Sequence, residues 1–167
     1  SCAGQPNNHL LTIQPRRLPK LSVVEPIPTA CFLTSSQVLH SMSTISTPAA
    51  ALQLYIDGIT NGDAAALESA FHPDARMFGA LGGQRVDIPI SDMVAMVSAQ
   101  PANVDGSFKA TVRSIEEHGD VASATVDEEN FWGSVSFTDV FSLARIDGNW
   151  QIVGKIFTHT GGTPPGA

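Results

Sequence analysis

Asp139 lies in the stretch SFTDVFSL, residues 136 to 143. If that stretch is extended, Val135, Phe137, Asp139, Phe141 and Leu143 share one face, because side chains in a strand alternate sides. A carboxylate then sits in the middle of an apolar row. Burying even a neutral polar group without a partner costs on the order of 2 to 7 kcal/mol, so the acid must be wet, paired or protonated. As a pocket acid it can keep its proton and donate it to a developing oxyanion. As a structural residue it would bond a helix end or a buried water.

Three further groups could join it. Tyr55 falls on the apolar stripe of a helical pattern, so its hydroxyl is either a second donor over a cavity or a satisfied core group. His72, in FHPDAR, is a candidate general base, set against a loop or cap contact beside Pro73. In the run Asp127, Glu128, Glu129 at least one acid must point inward; Glu128, Asn130 and Trp132 form a row that either lines a pocket mouth or ends a solvated strand.

These groups need elements to hold them. The body opens at STPAAALQLYIDGITNGD, where Ser46 or Thr47 caps, Pro48 suits the first turn, and Leu52, Tyr55, Ile56 and Ile59 repeat with helical spacing. Asn61 and Gly62 end this helix. Asp63 caps a second one through Phe71, which Pro73 stops. Extended pieces at Ala75 to Phe78 and Arg85 to Ile88 flank a glycine-rich turn (Gly79, Gly82, Gly83), and Ser91 caps a third helix carrying Met93, Val94, Met96 and Val97. After Pro101 the period becomes strand-like: Phe108 to Glu117, Val121 to Phe131, Ser134 to Arg145 and Asn149 to His159 read as strands. Helices first and an antiparallel meander afterwards predict an α+β domain, with a cone-shaped curved antiparallel sheet wrapped around about three N-terminal helices.

Asp147-Gly148 is the strongest turn signal, since a two-residue hairpin loop needs positive φ at both positions. Counting back from it pairs Arg145 with Trp150, Leu143 with Ile152, Phe141 with Gly154 and Asp139 with Ile156. On that register Trp150, Ile152 and Ile156 share the face of Asp139. Lys155 points the other way, so no cation of this hairpin faces the acid. Gly154 leaves space beside Phe141, as a cavity would need. Phe137, Phe141, Trp150, Ile156, Glu128 and Trp132 are the expected ligand contacts.

Composition bounds the rest. The 167 residues, 43% hydrophobic, suit a single core. Residues 47 to 160 read as the domain, 1 to 46 as a poorly structured leader and 161 to 167 as a tail. The leader holds Arg16, Arg17 and Lys20 against Glu25, while the remainder carries 6 basic and 15 acidic groups. So acidic a body disfavours nucleic acid and anionic membranes as partners. Cys2 and Cys31 are either one disulfide or two free thiols, and Met42 is a candidate native start. A degenerate secretory signal, without a continuous apolar core of the usual length, is the second reading of the leader; a cytoplasmic location is expected. No Cys or His pair has metal spacing, and no phosphate loop, dinucleotide fingerprint or nucleophile elbow occurs; neither metal nor cofactor is expected.

The segments YIDGITNGDAAALESAFHPDARM and FTDVFSLARIDGNWQIVGKIFTH resemble the nuclear transport factor 2-like, or SnoaL-like, superfamily, and within it the branch labelled putative lumazine-binding. The resemblance covers about residues 48 to 160. It implies an α+β barrel with a pocket between sheet and helices, and a homodimer packed through the outer sheet face, here Val140, Val153 and Phe157 with Lys155 and His159. Steroid isomerase-like members place a tyrosine on the first helix and a protonated aspartic acid on a late strand, matched by Tyr55 and Asp139. Their base position falls near Phe78 or Gly79, where this chain has no carboxylate. Arg76 and Arg85, pairing with Asp74 or Asp87, leave room for the Asp/Arg/Asp set of limonene epoxide hydrolase-like relatives. The function implied is acid/base isomerase, cyclase or dehydratase chemistry on a small apolar carbonyl or ring compound. A non-catalytic ligand-binding or protein-interaction module is the alternative.

Overall fold

A computed structural model describes residues 44 to 164; residues 1 to 43 of the expected leader, with Cys2, Cys31 and Met42, lie outside them. The first helix, α1, spans Pro48–Asn61, with Thr47 Oγ1 accepting from the Ala50 N–H, Pro48 inside the start, and Gly62 closing the end at φ 70°. Asp63 caps α2, Ala64–Ala70. The third helix, α3, spans Ile90–Ala99; its cap position is Pro89, and Ser91 lies inside the helix. Strands β1 (Phe71–Leu81) and β2 (Gln84–Pro89) precede α3, and β3 (Lys109–His118), β4 (Val121–Phe131), β5 (Val135–Ile146) and β6 (Asn149–Gly161) follow it. Among the described residues no helix is long and apolar enough to cross a membrane.

The sheet order is β2-β1-β6-β5-β4-β3. All neighbours are antiparallel except β1 and β6, which run parallel. The curved sheet is therefore mixed, and with β2 and β3 as edges it does not close into a barrel. Phe71 already belongs to β1, so the strand runs through Pro73. Proline is tolerated there because β1 pairs with β2 only from Arg76 onward and its ladder with β6 is interrupted between Phe71 and Arg76.

The core lies between the helices and the inner face of the sheet. Leu52, Tyr55 and Ile59 of α1, Leu67 of α2 and Met93 and Val97 of α3 meet Val126, Phe141, Leu143, Trp150 and Ile152. Asp147 and Gly148 both take positive φ, 49° and 82°, as their hairpin requires. That turn is also tied to the entrance of α1, since Asn149 Oδ1 accepts from Ile45 N–H and Trp150 N–H donates to Ile45 O.

From the turn, Leu143 pairs with Ile152 as counted. The next pair is Ser142 with Gly154, followed by Phe141 with Lys155, Val140 with Ile156 and Asp139 with Phe157. Strand β6 thus carries one extra residue, Val153, a β-bulge that reverses which side chains face inward beyond it. Even-numbered residues of β6 are buried up to Ile152; after the bulge Lys155 is buried and Ile156 is 54% exposed. The regular register, with Ile156 inside and Lys155 outside, is overturned by this insertion. Gly154 lines the outer groove instead of opening space beside Phe141.

Gly58, in the middle of α1, gives a test of the helix layer. A Cβ there would lie 2.6 Å from Leu67 Cγ and 2.8 Å from its Cδ2. Alanine ordinarily improves a helix interior by about 0.5 to 1 kcal/mol over glycine, but overpacking costs about 1 to 3 kcal/mol. Gly58→Ala should therefore lower the thermal midpoint by several degrees; an unchanged or raised midpoint would refute this close approach of α1 and α2.

Candidate active site

Four buried polar side chains from four elements meet beneath α1. Asp139 on β5 pairs with Val126 of β4 and Phe157 of β6. Two residues beyond Val126 on β4 stands Glu128, and two residues before Phe157 on β6 stands Lys155, both on the same face and within diagonal reach. Tyr55 descends on them from the stripe of α1, its ring held edge-on by Phe71 and Phe141 at 5.8 and 4.9 Å. Relative exposures are 0% for Asp139 and Tyr55, 1% for Glu128 and 6% for Lys155.

Lys155 Nζ lies 2.6 Å from Asp139 Oδ2 and donates to Tyr55 Oη at 2.5 Å. The expectation that no cation shares the face of Asp139 therefore fails. The reason is the bulge at Val153. The tyrosine hydroxyl also lies 2.7 Å from Glu128 Oε1 and 3.0 Å from Asp139 Oδ2. It owns one proton, so it can donate to only one carboxyl at a time. The other contact requires a proton from the acid side. Burial pushes the Glu128 carboxyl up to about 8, with the Asp139 charge adding to the rise and Lys155 and the Tyr55 hydrogen bond opposing it. Burial, followed by the charges of Asp139 and Glu128, raises the Tyr55 phenol well above its ordinary value. At neutral pH the cluster is then a Lys155–Asp139 ion pair beside a neutral Glu128 and a neutral Tyr55, with no net charge left in the apolar interior.

The cluster forms one wall of a cavity of about 130 Å³. Its remaining lining is almost wholly apolar, including Met77, Met93, Val97, Phe131, Phe137 and Phe157. Leu81, Val86 and Trp132, partly exposed, and Met96, exposed, form its rim. A cavity of ~150 Å³ admits benzene, so the space suits a single-ring compound. Glu128 Oε2 and Asp139 Oδ1 are buried without a hydrogen-bond partner among the described residues.

The structure brings Asp139, Tyr55, Glu128, Phe137 and Trp132 to this cavity and leaves the other sequence candidates elsewhere. Phe141 stands behind Tyr55. Trp150 is core at the hairpin end, with Arg145 over its ring at 5.1 Å. Ile156 is on the outer face. His72 Nδ1 accepts from the Asp74 N–H at 3.2 Å and does not line the cavity. Beyond Glu128 a second irregularity precedes Phe131, so Phe131, not Asn130, continues the inward row. Near the empty base position of β1, Met77 points inward and Phe78 outward. Arg76 and Arg85 both pair with Asp87, at 2.7 and 2.9 Å, outside the cavity. Phe157 lines the cavity and Lys155 belongs to the site, so neither contributes the outer apolar row. Sequence reasoning missed Lys155; an isolated glycine inside a strand pattern, Gly154, was the signal for a bulge.

Removing one member of a buried ion pair strands the other, at about 3 to 5 kcal/mol. Lys155→Met should lower the urea unfolding free energy by that amount, while Lys155→Met combined with Asp139→Leu should recover most of the loss. Additive losses, or a single-variant cost within ~1 kcal/mol of zero as for an exposed pair, would contradict the buried pairing.

The chain matches the family described as "putative lumazine-binding" over residues 43–158. It is 27% identical over 103 residues to "Aldolase FrzH" of Cladobotryum sp, a span of 62% of this chain and 81% of that protein. A crystal structure of an NTF2-like protein of unknown function from Methylobacillus flagellatus KT superposes with a TM-score of 0.61 at 28% identity, covering 70% of this chain and 98% of that one. A ketosteroid isomerase-like protein from Erwinia carotovora atroseptica superposes with a TM-score of 0.53 at 14% identity over 69% of this chain and 95% of that one, a likeness of fold alone. Together with the α+β architecture, the match over most of its length makes this chain a member of the putative lumazine-binding family, within the nuclear transport factor 2-like superfamily.

Proposed function

We propose that this protein is an acid–base catalyst for small, largely apolar carbonyl compounds, removing a proton beside the carbonyl and stabilising the enolate that results. The supporting observation is the pair of unpartnered buried oxygens, Asp139 Oδ1 and Glu128 Oε2, at an otherwise apolar cavity. Asp139 is the base. Glu128, protonated below about pH 8, is the acid that donates to the carbonyl oxygen, and Tyr55 links the two. Enolate formation is the first half of isomerase, cyclase and aldol reactions alike, and the aldolase-named relative favours a carbon–carbon bond-forming outcome. A second reading, non-catalytic binding in the same cavity, draws support from Phe78 and Gly79 standing near the position where steroid isomerase-like enzymes carry their base.

Deuterium uptake at the α-carbons of cyclohexanone and butanal in D₂O, followed by proton NMR, tests the first reading. Uptake should exceed buffer, fall by on the order of 10²-fold or more in Asp139→Asn, and decline as pH rises through about 8 and Glu128 loses its proton. Binding of these probes with no uptake above buffer would favour the non-catalytic reading.

We also propose self-association through the outer sheet face. Phe78, Ile156 and Val140 lie side by side on β1, β6 and β5, and they are 41%, 54% and 38% exposed, a row that water disfavours. Sedimentation should find a dimer that Ile156→Glu converts to a folded monomer; a monomeric wild type at tens of micromolar would reject the proposal.

A further inference from the structure

Lys155 is the group least explained by proton transfer alone. An ion pair buried in an apolar interior is often no more stabilising than a well-packed apolar replacement, so this amine asks for a role. Its Nζ lies at the cavity wall, 4.8 Å from the Tyr55 ring centroid and 5.7 Å from that of Phe141. Two of its three hydrogens are committed, to Tyr55 Oη and Asp139 Oδ2. Every protein group it bonds can receive or pass on a proton, and Glu128 stands on the far side of Tyr55. A buried lysine in contact with a group that can take its proton can present a free amine to a carbonyl in the cavity.

We propose that Lys155 captures an aldehyde or ketone in this cavity as a Schiff base, a role that rests on the carbonyl reading of the site. Asp139 first takes one proton from the ammonium, exchanging an ion pair for two neutral groups. The freed lone pair of Nζ forms the C–N bond as the C=O π electrons move to oxygen, which takes the Glu128 proton. Nitrogen returns a proton to Glu128, directly or through Tyr55, leaving a neutral carbinolamine. Asp139 then protonates the hydroxyl, the C–O bond breaks, and water departs. The product is a protonated imine paired with the Asp139 carboxylate. Of the two hydrogens the ammonium gives up, one leaves in the water by way of Asp139 and the other replaces the proton Glu128 gave, so the site keeps the charge it had.

The protonated imine is the electron sink for the α-carbon, and its partner Asp139 is the adjacent base. This assigns the unpartnered Asp139 Oδ1 to the α-proton and the unpartnered Glu128 Oε2 to the oxygen of a second carbonyl. The substrate class narrows accordingly. Unhindered aldehydes and ketones qualify, whereas esters and carboxylic acids, which do not form imines with an amine, do not.

The test treats the full chain with butanal or cyclohexanone and sodium cyanoborohydride, then maps the modified peptides by mass spectrometry. The other primary amines are Lys20, Lys109 and the amino terminus, and they report unselective labelling. The expected result is an added mass equal to the probe less one oxygen, on Lys155, formed about tenfold or more faster than on Lys109. Mapping the wild-type chain does not depend on a variant's folding, and Lys155→Arg, checked by circular dichroism, should lose that adduct. Deuterium uptake without a Lys155 adduct would overturn the imine and leave the acid–base reading intact. A Lys155 adduct without uptake would uphold the imine and reject proton abstraction; absence of both would overturn the two together.

Discussion

A charge placed in an apolar cavity must be answered by another charge or by a proton, and here one inserted residue decides which. Val153 breaks the alternation of β6, and the next residues change sides. Lys155 consequently faces Asp139 at 2.6 Å instead of solvent. Without that insertion the inner face would offer Ile156, and the carboxylate would stand alone in low dielectric, where an isolated charge is expensive enough to force its neutralisation.

The other features of the site follow from that pairing. Once Asp139 holds the cation, a second carboxyl beside it cannot also ionise cheaply, and Glu128 retains its proton to about pH 8. Tyr55 fits between them because its hydroxyl both accepts, from Lys155, and donates, to a carboxyl. The outcome is an acid, a base and an amine linked through Tyr55 at the wall of a largely apolar cavity of about 130 Å³. Such proximity of groups with opposed proton affinities is what acid–base chemistry at neutral pH demands.

Much of the scaffold was legible because it is written in local rules. The Thr47-Pro48 start, the Gly62 stop and the Asp147-Gly148 turn each depend on neighbours along the chain, and hydrophobic period located the helices and the long strands. Asp139 and Tyr55 were legible for the same reason, as polar groups on apolar stripes. What escaped was non-local. The parallel pairing of β1 with β6 joins residues some eighty positions apart, and nothing in β1 itself announces it. The bulge escaped because Gly154 was read as an opening toward Phe141, when a lone strand glycine equally marks a change of register. That one misreading exchanged Lys155 for Ile156 and moved the protonated acid from Glu128 to Asp139. His72 looked reactive by type, but Phe71 takes the inward position at the start of β1 and leaves His72 beside Asp74.

Proton NMR contacts measure the side of β6 on which Lys155 lies. The account predicts nuclear Overhauser effects from the Lys155 ε-methylene to the Tyr55 and Phe141 rings, with its resonances shifted upfield by those rings, and none from Ile156 methyls to either ring. Strong contacts from Ile156 to Tyr55 or Phe141, with Lys155 showing the shifts of a solvated side chain, would contradict it.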